Sequence, residues 1–175
     1  MKTNKRNILA TATVALLGMM AGTHASFAAE KDTLVMSDVN FIKKEAAAGK
    51  ATVKLAELAV TKAQNADVKA FAEKLVAHHT VANEELAKLA KQKGVEVSTV
   101  IDPDHAETYQ KLEKYSGAEF DKEFLSTVVS GHKKCVDSFE EEVKDAKDAD
   151  VKAWSEKTLA TLKTHLDKAN ELSSK

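Results

Sequence analysis

Apolar residues return in alternating steps of four and three along four stretches of this chain, the period of a helix with one buried side. From Asp67 to Lys93 they fall at Val68, Ala72, Leu75, Ala82, Leu86 and Leu89, and His79 fills the missing rung. Upstream, Ile42, Ala46, Gly49, Val53, Ala56, Val60 and Ala63 keep the spacing, and Ser37-Asp38 supplies a cap for a helix starting near Val39. Its apolar side is broad and built of small residues, so neighbouring helices can approach closely. A third seam runs through Leu125, Val129, His132, Val136, Phe139, Val143 and Ala146. A fourth runs through Val151, Thr158, Leu162, His165, Ala169 and Leu172.

The punctuation between seams predicts where the helices end. Asn65-Ala66-Asp67 turns the chain and caps the second helix, and Gly94 closes it. Val95 to Ile101 alternates loosely and reads as extended, while Asp102-Pro103 is an N-cap followed by proline at N1, predicting a short helix to about Tyr115. Ser116-Gly117-Ala118-Glu119 has the form of a capping box opening the third long helix, and Asp148-Ala149-Asp150 turns into the fourth. A connection as long as Gly94 to Ser116 is uncommon in a compact domain unless it crosses from one end to the other.

The two turns are related. Ala66 to Leu75 aligns without gaps to Ala149 to Thr158, with seven of ten residues shared. A helical hairpin is therefore duplicated and joined by the crossover. The expected fold is all-α: a ferritin-like four-helix bundle over residues 37–175, its long connection holding a short helix.

Composition adds a compartment. Lys2, Lys5 and Arg6 precede an uncharged, mostly apolar run from Ile8 to Gly22, and Ser26-Phe27-Ala28 offers small residues where a signal peptidase reads. Residues 1–28 are the expected signal peptide, residues 29–36 a flexible lead, and the mature chain starts at Ala29. The apolar run falls short of the ~20 residues that a membrane span needs. Cleavage lowers 26 basic side chains to 23 against 27 acidic ones, a net charge of −4. Lys and Glu alternate along the helices with no basic stripe, so nucleic acid is not an expected partner. Cys135 is the one cysteine, so no intramolecular disulfide supports this exported domain.

The candidate chemistry is the set of seam histidines. His79, His132 and His165 each lie roughly 20–24 Å from their helix starts at ~1.5 Å per residue, so they meet at mid-bundle. Neutral imidazoles at one level suit zinc, copper or iron. Glu45, Cys135 (one turn from His132) and His78 are candidates for a further ligand, and Glu45 lies well over a turn from the level. The competing reading is three core histidines satisfied by carbonyls or waters. Diiron-carboxylate bundles carry Glu-x-x-His on two helices, whereas Val76 and Leu162 stand three residues before His79 and His165, and Glu57 and Glu140 read as edge charges. Diiron chemistry is not supported. Neither a Cys-x-x-Cys-His haem attachment nor a Gly-rich phosphate loop occurs, and no catalytic residue is assigned.

Residues 41–46 (Phe-Ile-Lys-Lys-Glu-Ala), 56–59 (Ala-Glu-Leu-Ala), 68–72 (Val-Lys-Ala-Phe-Ala), His79-Thr80, Leu112, Ser116-Gly117, Phe120-Asp121, His132, Leu162 and His165-Leu166 resemble the ferritin-like bacterial family called domain of unknown function 4142. The resemblance implies an exported protein, periplasmic or associated with the outer membrane, and implies no established activity. Two functions are expected from the whole. One is a non-enzymatic structural or stress-related binding module of the envelope, partnered by another envelope protein or by itself. The other is a metal-binding protein using the histidines at mid-bundle.

Overall fold

The computed structural model describes residues 34–175, and the expected signal segment lies outside them. The described residues form five helices: α1 (Met36–Lys62), α2 (Ala66–Lys93), α3 (Pro103–Glu113), α4 (Gly117–Asp145) and α5 (Ala149–Ser173). No strand occurs among them, and none of these helices is long and apolar enough to cross a membrane. α1 pairs with α2 and α4 with α5; the pairs then close on each other through α1–α4 and α2–α5, with α3 lying against α1 and α4. This is the expected bundle of two hairpins with a long crossover.

Local chemistry sets most helix ends. The Asn65 side chain accepts the N–H groups of Asp67 (2.8 Å) and Val68 (3.4 Å). Asp148 repeats this at Asp150 (2.9 Å) and Val151 (3.1 Å), and Asp102 accepts His105 N–H at 3.0 Å ahead of Pro103. Gly94 closes α2 at φ 71°, a left-handed conformation that favours glycine. Two expected caps do not form. α1 begins at Met36 with Val35 as an uncapped N-cap, and Ser116 makes no capping bond.

The reason α1 departs from expectation is that Asp38 has a distant task. It is fully buried, and its carboxylate accepts the N–H groups of Lys147 (3.2 Å) and Asp148 (2.9 Å) in the α4–α5 turn. Asp121, in the first turn of α4, does the same for Gln64 (3.1 Å) and Asn65 (2.8 Å) in the α1–α2 turn. Asp38 and Asp121 are 83 residues apart, as are Ala66 and Ala149. Each hairpin therefore ties down the other's turn, so all adjacent helices run antiparallel.

The core divides into two apolar halves. One holds Leu55, Phe71, Leu75, Phe120, Phe124 and Leu172; the other holds Ile42, Leu86, Phe139, Val151 and Leu162. Along α2, α4 and α5 the switch from one half to the other happens at His79, His132 and His165, and along α1 it happens around Gly49. Every expected member of the α5 seam is buried, and Ser155 joins them. In α4 the buried line passes through Val128 and Glu142 instead of Val129 and Val143, and in α1 it takes in Glu45, Leu55 and Ala59 while Val53 and Val60 are half-buried.

Candidate metal centre

The layer between the two halves is made of imidazole. His79, His132 and His165 are buried to 9%, 4% and 3% exposure, and one nitrogen from each lies within 4.8 Å of the other two. Their ring centroids form a nearly equilateral triangle, 5.4 Å (His79–His132), 5.3 Å (His79–His165) and 5.4 Å (His132–His165). Three helices supply one residue each. Helical period places them on inward faces, and their midway positions put them at one height.

Hydrogen bonds orient two of the rings. His132 Nδ1 donates to the Val128 carbonyl at 3.1 Å, which leaves Nε2 bare, and that Nε2 lies 3.3 Å from His79 Nε2. His165 Nε2 lies 2.9 Å from His78 Nδ1, with the rings almost coplanar at 13°. The other His165 nitrogen, Nδ1, is buried with no partner. A buried N–H without an acceptor is costlier than a bare lone pair. The favoured tautomer therefore donates from His165 Nε2 to His78 and leaves Nδ1 unprotonated.

Burial also keeps the cluster uncharged. Desolvation first, then the neighbouring imidazoles, pushes His79 and His165 down to about 3. Desolvation likewise lowers His132, to about 4, against the opposing pull of the Val128 carbonyl. At neutral pH these are neutral imidazoles, the form that binds metals.

The further candidates lie beside the triangle. Glu45 is buried, accepts a hydrogen bond from Ser138 Oγ (3.2 Å), and has its carboxyl pushed up by burial. Cys135 is half-buried, its thiol pushed up to about 12 by burial and then by Glu45. Both line a cleft that also reaches His79 and His132, yet they are not in the group whose donor atoms converge. His78 is exposed and touches the triangle through His165. Glu57 is exposed and Glu140 pairs with Lys163 at 2.7 Å, so both are the edge charges expected. Sequence reasoning missed Glu142, buried with Oε1 unpartnered and pushed up to about 7 by burial and then by Asp38, Asp145 and Glu45. It also gave no role to His105, which lines the cleft; the Asp102-x-x-His105 spacing at a helix start was the available signal.

A family model described as a domain of unknown function, DUF4142, matches residues 23–172. The chain belongs to the DUF4142 family. No curated protein sequence matches this DUF4142 chain. Among solved structures, a DUF305 fragment from Deinococcus radiodurans is similar at a TM-score of 0.72 and 13% identity, covering 81% of the DUF4142 chain and 97% of its own. CopM in the Cu(II)-bound form is similar at 0.68 and 15% identity, covering 78% and 95%. CopM in the Cu(I)-bound form gives 0.64 and 16%, covering 77% and 93%. At these identities the likeness establishes a shared helical-bundle fold.

Proposed function

We propose that this DUF4142 protein binds one transition-metal ion, copper in the first instance, through His79, His132 and His165. The observation that carries the reading is a layer of three buried imidazoles, one from each of three helices, with a nitrogen of each within 4.8 Å of the other two. The spacing fits an ion. Two nitrogens each ~2.0–2.1 Å from a tetrahedral metal are about 3.3 Å apart, and His79 Nε2 and His132 Nε2 are separated by 3.3 Å. An imidazole so bound puts its centroid about 3.1 Å from the metal, and three of them then lie roughly 5.1–5.4 Å apart. The triangle of 5.3 and 5.4 Å sides falls in that range.

The donor set favours copper or zinc over magnesium and calcium, which take oxygen ligands. Copper heads the divalent affinity order, and imidazole is a ligand that suits it. CopM, solved with Cu(II), Cu(I) and silver, shares the bundle fold, which adds support for copper. His78 and the Val128 carbonyl orient ligand rings from outside, the role that fixes tautomer and basicity at metal sites. The other expected function, a structural or stress-related envelope module partnered by another protein or by itself, is a separate reading, and a partner recovered by pull-down from envelope extracts would support it. Export remains part of the proposal and rests on the N-terminal pattern.

Protein expressed in its full form, purified without an affinity tag and analysed for metals beside the triple His→Ala variant tests the reading. One equivalent of copper or zinc in the parent and none in the variant supports it. Equal metal in both removes it.

A further inference from the structure

The three imidazoles are enclosed, so an ion needs a way in. A cleft of about 700 Å³ opens between α1, α4 and the crossover and reaches His79 and His132. Glu45 and Cys135 line its inner part, and Asp102 and His105 of the crossover line it as well. His105 Nδ1 lies 2.6 Å from Asp102 Oδ2, while Asp102 Oδ1 takes the His105 backbone N–H at 3.0 Å. The carboxylate thus fixes the proton on Nδ1 and leaves Nε2 as the free donor atom. A carboxylate bonded to the far nitrogen is how metal-ligating histidines are oriented and made more basic. Both side chains are accessible, at 37% for His105 and 39% for Asp102.

We propose that this cleft is the loading path of the metal centre, with His105, oriented by Asp102, as the first and transient ligand. The proposal rests on the metal-binding reading above and adds its route. The chemistry is ligand exchange without redox: the incoming ion trades a solvent or carrier ligand for His105 Nε2, then for the interior imidazoles. Glu45 and Cys135 supply oxygen and sulfur donors along the way. A route on the far side of α2, past the exposed His78, is the competing path, and there the His78–His165 hydrogen bond stands in the way.

The test mixes metal-free full-length protein with Cu(I) held by a chromophoric chelator and follows the loss of chelator colour by stopped flow. The parent, His105→Ala, His105→Gln and His78→Ala are compared. Loading is expected to slow about tenfold in both His105 variants, the lower end of what a lost histidine–carboxylate partner costs a metal site. Their final copper content should match the parent's, which also shows that they fold. His105 variants that load at the parent's rate overturn the route while leaving the metal centre standing, and slowing confined to His78→Ala moves the path to that side. A parent that takes up no copper at all overturns the route together with the reading beneath it.

Discussion

Lowering the pH from 7.5 to 5.5 without metal should destabilise the bundle through its interior histidines. In the unfolded chain each imidazole protonates near its ordinary 6.5, while in the fold His79 and His165 stay neutral to about 3 and His132 to about 4. Between those limits the unfolded state binds more protons, so the histidine contribution is complete above pH 6.5 and is lost as the pH falls toward 4. At ~1.4 kcal/mol per pH unit, each histidine costs about 1.3 kcal/mol at pH 5.5, and the trio about 4 kcal/mol. Glu142 works the other way. Its carboxyl is raised to about 7, so the fold gains stability from it as the pH drops through the same window. Glu45, also raised, adds in that direction. Urea unfolding followed by far-UV circular dichroism, with chelator present, separates the two if the parent is compared with His132→Gln. The carboxyl terms are common to both proteins, so the variant should lose about 1.3 kcal/mol less between pH 7.5 and 5.5. Equal losses would refute the claim that His132 is held neutral in the fold.

Asp38→Ala and Asp121→Ala should each cost about 2–4 kcal/mol in the same unfolding assay, because each leaves two turn N–H groups without their acceptor. A cost under ~0.5 kcal/mol for either would show that the turn is satisfied otherwise. Cys135→Ser should leave the copper stoichiometry unchanged. With its thiol pushed up to about 12, Cys135 of the parent should react far more slowly with a disulfide reagent at pH 8 than free cysteine does. Mass spectrometry of protein recovered from the envelope should give a chain starting at Ala29; an uncut Met1 would contradict the export reading.

What the sequence made legible follows from what periodicity can carry. Every residue expected on the α5 line is buried, because Lys and Glu fill the opposite face, but Ser155, fully buried and bonded to the Val151 carbonyl, was passed over as polar. α1 slipped because alanines occupy both faces, so Val53 and Val60 looked as inward as Leu55 and Ala59. A buried carboxylate leaves no trace in an apolar pattern, which hid Glu45's place in the seam and Glu142's altogether. Asp38 and Asp121 looked like local features at helix starts, yet their partners lie 109 and 57 residues away along the chain. The histidines were found because each filled one gap in an otherwise apolar line near mid-helix. Their mutual distances were beyond reach, since helix rotation decides whether rings at one height meet. His78 shows the same limit: one residue from His79, it is turned by a helical step to the surface and still bonds His165.

Anomalous diffraction from crystals of the copper-loaded protein, measured on both sides of the copper absorption edge, tests the metal centre most directly. The account predicts one peak between α2, α4 and α5, about 2.0 Å from a nitrogen of each of His79, His132 and His165. A peak on Cys135, or copper bound only at surface histidines while the inner rings keep their hydrogen bond, would contradict it.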